Sequence, residues 1–413
     1  MKYTLGIDFG TSNTAAAIMA GDKPFLIPVE DGKTTLPTSV FFDTHRANAV
    51  YGSAANAALI DGREGRFMRA LKSVLGTPLM HERRMISYQR VTLIEVVALF
   101  LTTVKERAEQ ATGLTIDSVL SGRPVRFHPD PDRNARAEDD LRSAYETAGF
   151  TDINFMFEPE AAAQTSTAPL DGKFGLVVDI GGGTSDFTIF EKDGQAAKVI
   201  ASHGVRIGGT NFDRALNLAT VMPLLGYRGE LKNEMGSGTH TAPNVLFQDL
   251  ATWEKIPFLY TPETARLTKR YAKLAIDKPP FERLAEVIEM EMGHDISFAV
   301  EAGKIARNET TEAAIDLGFV QSELSVSLSG DIMAKTLAPL TLGIAEAAQD
   351  TLQMANLTSD QIGTVVYVGG SSLMGTVTEA ITAIFPHAAQ ERTAAFTAVA
   401  DGLAIAGARA SAG

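Results

Sequence analysis

The chain contains no cysteine. Disulfides, thiolate catalysis and cysteine-ligated zinc are therefore excluded. Its histidines, His45, His81, His128, His203, His240, His294 and His387, are scattered, with no pair at metal-ligand spacing. There is no Gly-x-Ser-x-Gly nucleophile elbow and no Gly-x-x-x-x-Gly-Lys-Ser/Thr loop, so this is not a P-loop protein. Long hydrophobic runs are missing too. The opening Met1-Lys2-Tyr3-Thr4-Leu5-Gly6-Ile7-Asp8 lacks a signal-peptide stretch. Val91–Val104 is interrupted by Thr92, Glu95, Thr102 and Thr103, and is too short and polar to span a bilayer. A soluble, cytoplasmic protein is expected. Basic residues are in deficit, 37 against 50 acidic, for a net charge of -13. That argues against nucleic acid or an acidic membrane as partner. An acidic chain that binds a polyanion needs a local device, such as backbone N–H groups, a metal or a few placed lysines.

What the sequence does have is one pattern used twice. Residues 5–18 run Leu5-Gly-Ile-Asp8-Phe-Gly10-Thr11-Ser12-Asn13-Thr14 and on to Ile18. Residues 176–190 run Leu176-Val-Val-Asp179-Ile-Gly181-Gly182-Gly183-Thr184-Ser185-Asp186 and on to Phe190. Each is an apolar run ending in Asp, then a glycine turn carrying Thr-Ser, then a second β-leaning run. Glycine permits close backbone approach, so successive N–H groups can point at phosphate oxygens. Thr11, Ser12, Thr184 and Ser185 add hydroxyl donors. Asp8 and Asp179, at strand ends, suit Mg²⁺, directly or through its waters. One such hairpin reads equally well as an ordinary glycine turn. Two, with matched Asp and Thr-Ser, argue for a clamp on a nucleoside triphosphate and its metal.

The 413 residues suit two or three domains, and 45% hydrophobic content allows sizeable cores. Strand-like and helix-like segments alternate, which gives the α/β class. Residues 1–29 read as strands, with a hairpin closing at Ala20-Gly21-Asp22, and 36–42 as a short strand. Val91–Thr112 reads as an amphipathic helix with Gly113 as C-cap, and Asp132–Ala148 as a charged helix stopped by Gly149. Strands are expected at Ser118–Val125, Ile153–Phe157 and Val365–Val368. Residues 262–309 are expected to be mostly helical, as is the Ala-rich tail from Ala394. The turn-rich stretch 168–173 is the expected seam between two lobes.

Weaker motifs complete the set. Gly208-Gly209-Thr210-Asn211-Phe212-Asp213 opens a helix and reads as a phosphate-approach turn or as a plain N-cap. Val368-Gly369-Gly370-Ser371 ends a buried strand, where α/β proteins place ligands. Glu158, in Glu158-Pro159-Glu160, suits a carboxylate beside a metal-bound water, or an ordinary capping Glu. Lys72 suits a phosphate-binding cation, or a solvated lysine near a helix end.

In order along the chain, these segments resemble the ATPase domain of DnaK-type heat-shock chaperones, within the actin-like ATPase superfamily. The resemblance rests on Gly6–Thr14, on Lys72, and on Glu158-Pro159-Glu160-Ala161-Ala162-Ala163. It continues through Asp179–Asp186, Gly208–Asp213, the pair Glu301 and Lys304, and Gly369-Gly370-Ser371. It implies two lobes, each with a mixed five-stranded sheet flanked by helices, and a nucleotide in the cleft between them. Lobe I would span 1–169, with 36–115 as its upper subdomain and the helix 391–413 packed back on it. Lobe II would span 170–390, with 223–309 as its upper subdomain.

The implied cofactors are ATP or ADP and Mg²⁺. Asp8 and Asp179 are the implied metal residues, with Glu158 organising the water shell. Lys72, Glu158, Asp179 and Thr184 are the implied catalytic set. Gly10, Thr11, Ser12, Asn13, Gly181, Gly182, Gly183, Gly208 and Gly209 would hold phosphates. Glu301, Lys304, Ile305, Gly369, Gly370, Ser371 and Leu373 would hold the nucleoside.

The sequence departs from that family in three places. It ends where the family's ATPase domain ends, so no peptide-binding domain is expected. Ile305 and Leu373 stand where the family clamps adenine between two arginines. Tyr227, Trp253 and Pro279-Pro280 resemble the YegD-like truncated subgroup. The expected function is Mg-dependent ATP binding with slow hydrolysis, by a chaperone-related protein with a protein partner or co-chaperone. The alternatives are a nucleotide-dependent scaffold without turnover, a small-molecule kinase using Asp186 or Asp213, and an actin-like filament.

Overall fold

The computed structural model describes residues 3–45, 49–86, 89–128, 130–165, 173–193, 196–392 and 397–412. The expected seam at 168–173 lies outside the described residues except for Lys173, and so does the start of the tail at 394–396. The chain forms two compact units. One comprises 1–206, 344–373 and 377–413; the other comprises 207–343 and 374–376.

Apolar runs broken by glycine turns make two sheets in the first unit. The first sheet contains β1 (Thr4–Phe9), β2 (Asn13–Ala20), β3 (Lys23–Leu26), β4 (Ser118–Arg123) and β5 (Asp152–Phe157). Its order is β5-β4-β1-β2-β3. The second contains β6 (Phe174–Ile180), β7 (Ser185–Asp193), β8 (Ala196–Val205), β9 (Ile362–Val368) and β10 (Ala389–Arg392), in the order β8-β7-β6-β9-β10. In each sheet the central strand, β1 or β6, pairs antiparallel with its hairpin partner and parallel with a strand that arrives much later in the chain. The doubled sequence pattern is therefore the middle of two sheets with the same plan. Leu5, Ile7, Leu176 and Val178 on these strands are fully buried. Such continuous apolar runs are what a strand covered on both faces requires.

The first sheet has a sixth short strand, Thr35–Pro37, paired with β2. Residues 36–42 were expected as one strand. Instead the run divides, and Ser39–Asp43 joins a separate sheet with Ala49–Tyr51 and Gly65–Arg69. Pro37 has no N–H with which to continue a ladder. Thr38, at the break, turns its hydrogen bonds elsewhere: its N–H donates to Ser12 O at 2.8 Å, and its hydroxyl lies 2.9 Å from that of Thr14.

Helices follow their local signals. α1 (Leu93–Thr112) starts at a capping box of Thr92 with Glu95 and ends at Gly113, in the left-handed region. α2 (Pro131–Thr147) is capped by Asp130, which accepts the Arg133 N–H at 2.8 Å. α3 (Glu158–Thr165) begins directly at the end of β5. In the second unit, α4 (Gly209–Leu216) is short, and 262–309 is mostly helical as expected, ending in α5 (Gly293–Glu309). Trp253 packs its ring 4.4 Å from His294 and 5.0 Å from Phe298 on α5. The C-terminal helix α6 (Ala398–Ala412) lies against β1, β2 and α3. Small residues make that approach possible: a side chain at Gly6 would meet Leu403 and Ala404, and one at Gly402 would meet the Ala161 carbonyl. Among the described residues, no helix is long and apolar enough to cross a membrane.

Candidate functional site

The carboxyl ends of β1, β5 and β6 bring Asp8, Glu158 and Asp179 into the first unit's site, and Asp186 joins them from the start of β7 and Lys72 from a separate turn. Lys72 stands on a four-residue 3-10 turn, Leu71–Val74. Its Nζ lies 2.6 Å from Glu158 Oε1, with the side chains 10% and 12% exposed. Glu158 is the first residue of α3. The absence of a side chain at Gly122 on β4 leaves room for it, since a Cβ there would come within 3.1 Å of Glu158 Cγ. Asp8 lies near the end of β1 and Asp179 near the end of β6. Asp179 faces Asp186 directly across the β6–β7 pair, where like charges repel.

The electrostatics confirm that these groups sense one another. Burial first, then Glu158, pushes the Asp8 carboxyl up to about 7 against the pull of Lys72. Asp179 is raised well above the usual range by burial, then by Glu158, Asp186 and Asp8. Asp186 is raised to about 6, by burial and then Glu158. Burial opposes the charge on Lys72, but Glu158, Asp8 and Asp179 outweigh it, so the ammonium is held above its ordinary value. Behind the cluster, the buried hydroxyls of Tyr145 and Ser121 lie 2.9 Å apart.

The two glycine turns flank this cluster. In the first, Gly10 lies over the Asn13 carbonyl, so a side chain at 10 would collide with it, while Thr11 and Ser12 are partly exposed. In the second, the Gly181 N–H donates to Thr184 O at 3.0 Å. Gly181, Gly183 and Thr184 are exposed there, and the Thr184 hydroxyl lies 3.4 Å from Asp186 Oδ2. The turns also touch: a side chain at Gly182 would occupy the place of the Ser12 hydroxyl. At the end of β9, Gly369 has φ +78, and a side chain there would strike the Ile180 carbonyl and crowd Asp179 Oδ1. Gly370, Ser371 and Leu373 follow in a single 3-10 turn.

The remaining expected residues belong to the second unit. Gly208 and Gly209 open α4, where Asn211 Oδ1 accepts the Gly208 N–H at 2.9 Å. Glu301, Lys304 and Ile305 lie on α5. Lys304 is buried and its Nζ is 2.7 Å from Asp213 Oδ1 on α4, while Ile305 is 49% exposed. In the sequence Asp186 closes the second glycine motif and takes a catalytic role only in the kinase alternative. Its place opposite Asp179 was signalled by nothing more than a second Asp seven residues on.

The cluster suits a divalent cation. Half-buried carboxylates pushed toward neutrality by burial first and then by neighbouring acids outnumber the lysine among them, so a doubly positive ion would relieve the excess charge. Among the described residues, no three acidic or histidine side chains converge closely enough to ligate an ion by themselves.

Residues 4–222 and 291–412 match the family model of the Hsp70 protein. The chain belongs to the Hsp70 family. Hsp70 proteins are chaperones that bind ATP and ADP, and the family's ATPase domain has the actin-like α/β fold. The chaperone protein DnaK of Endomicrobium trichonymphae is 32% identical over 224 residues, covering 52% of this chain and 34% of the relative. The chain thus matches much less than the full length of that relative. Asp8, Lys72, Glu158, Asp179 and Asp186 all lie within the first Hsp70-matched stretch. Residues 223–290, which include Trp253, lie between the matched stretches.

Proposed function

We propose that this Hsp70 chain binds ATP with Mg²⁺ and hydrolyses it slowly to ADP and phosphate, the nucleotide state gating a protein partner or co-chaperone in the cytoplasm. The observation that carries the reading is the Lys72–Glu158 pair set among Asp8 and Asp179 beside two glycine turns.

In this reading the turn N–H groups and the hydroxyls of Thr11, Ser12 and Thr184 hold the phosphates, with Gly10, Asn13 and Gly181–Gly183 shaping their approach. Asp8 and Asp179 would hold Mg²⁺, and Glu158 its waters. When bound, the ion would supply positive charge that offsets the charge of the phosphates. Lys72 supplies positive charge at the terminal phosphate and orients the attacking water. The water oxygen bonds to the γ-phosphorus as the bond to the bridging oxygen breaks, leaving ADP, phosphate and a proton released to solvent. Catalysis is positioning plus charge neutralisation.

Gly208, Gly209, Glu301, Lys304, Ile305, Gly369–Ser371 and Leu373 are assigned in the same proposal to the nucleotide, chiefly its nucleoside. Ile305 and Leu373 would meet the base by buried area rather than by arginine stacking. Division into lobes at 169 and 170, with upper subdomains 36–115 and 223–309, and membership of a YegD-like truncated subgroup also belong to this proposal. Single-turnover hydrolysis of Mg-ATP tests it. Turnover that collapses in Lys72→Ala supports the reading, while binding without turnover in the unmodified chain replaces it with a scaffold role.

A further inference from the structure

The loop that carries Lys72 continues to Gly76 and His81, and it rests on α2. Gly76 has φ +75, and a side chain there would strike the Arg133 carbonyl and approach Ala137 Cβ within 3.2 Å. Arg133, Ala137 and Asp140 are spaced four and three residues apart, so they form one stripe of the helix. On that stripe Asp140 is 3% exposed, among the buried Ala137, Leu141, Ala144 and Tyr145. Both of its oxygens serve the loop. Oδ2 accepts the Gly76 N–H at 2.8 Å, and Oδ1 lies 3.0 Å from His81 Nε2. A buried carboxylate is costly unless hydrogen-bonded, and here the bonds that hold it are bonds to the lysine's own loop. Locally, Lys72 sits on a four-residue 3-10 turn preceded by Ala70 at φ 57. So short a turn fixes a side chain poorly by itself.

We infer that Asp140 is a positioning residue for Lys72. It fastens the loop to α2 at two points beyond the lysine, so that the ammonium stays at Glu158 instead of moving with a loose loop. Asp140 touches no reacting atom; it acts through the loop backbone. Its effect on turnover rests on the hydrolysis proposed above, whereas its effect on the loop does not.

The test uses Asp140→Ala and Asp140→Asn in the full chain, with two readouts. The first is amide hydrogen exchange of the peptide covering residues 70–80. Asp140→Ala is expected to raise exchange at the Gly76 amide by about tenfold or more, with β1 and β4 unchanged. Asp140→Asn keeps an acceptor oxygen and should show a smaller rise, so it also decides the matter if the alanine variant folds poorly. The second is single-turnover ATP hydrolysis with a double-mutant cycle. Asp140→Ala should slow it by about tenfold or more, and should add nothing in a Lys72→Ala background. Unchanged loop exchange in both variants overturns the inference. So does a rate loss that adds in full to that of Lys72→Ala, which marks a merely structural role. If the unmodified chain does not hydrolyse ATP, the functional proposal fails while the exchange readout still decides this one.

Discussion

Lys72 Nζ lies 2.6 Å from Glu158 Oε1, joining a residue on a loop to the first residue of a helix 86 positions later. The pair is almost buried; after burial, Glu158 helps to raise both Asp8 and Asp179, and Asp8 adds to the rise at Asp179. Removing the lysine therefore removes both the group proposed to face the phosphate and the counter-charge of the acids. Lys72→Ala should lower the single-turnover rate of Mg-ATP hydrolysis by roughly 100-fold or more, the scale of losing one preorganised electrostatic group. Nucleotide affinity should fall far less, because turn N–H groups still hold the phosphates. Rapid-quench kinetics beside equilibrium binding separates the two.

The glycine at the end of β9 yields a second expectation. Gly369 has φ +78, and a side chain there would strike the Ile180 carbonyl. A left-handed backbone alone costs a non-glycine residue about 1–2 kcal/mol, and the collision adds to it. Gly369→Ala should therefore lower stability by more than about 2 kcal/mol. Gly183→Ala, where a Cβ meets nothing within 4 Å, should melt like the unmodified chain. Paired thermal melts check both.

Much of this site is legible in the sequence because its signals are local. The strands and turns around Asp8 and Asp179 are written in consecutive residues, and so is the helix stop at Gly113. Features that depend on what packs against what are not. Asp140 sits in a run of acids, Glu138-Asp139-Asp140, and nothing in that run says which one turns inward. The ammonium of Lys304 is paired with Asp213, which stands in a different motif, and neither motif names the other. The break in 36–42 depends on Thr38 finding partners at Ser12 and Thr14, some 24 residues earlier. In each case the deciding partner lies far away in the chain.

Asp401 on α6 supplies a pH dependence away from the site. Burial raises its carboxyl from 3.8 to about 6, and its Oδ1 has no hydrogen-bond partner among the described residues. A carboxyl raised on folding binds its proton more tightly in the native state than in the unfolded one. Its favourable contribution is thus fully present below about pH 4 and is lost as pH rises through about 6. Asp401→Asn should melt at a higher temperature than the unmodified chain above about pH 7, and the gap should close below about pH 4. The group is partly open to solvent, so the gain at neutral pH should be on the order of 1 kcal/mol. Melting curves from pH 4 to 8 read it directly.

Calorimetric titration of the chain with ATP, with and without Mg²⁺, tests the central claim most directly, alongside an Asp8→Asn/Asp179→Asn variant. The account predicts ATP binding that strengthens by about tenfold or more with Mg²⁺ in the unmodified chain, and that loses this metal dependence in the variant. Absence of ATP binding in the presence of Mg²⁺, or a metal dependence that persists undiminished in the folded variant, would contradict it.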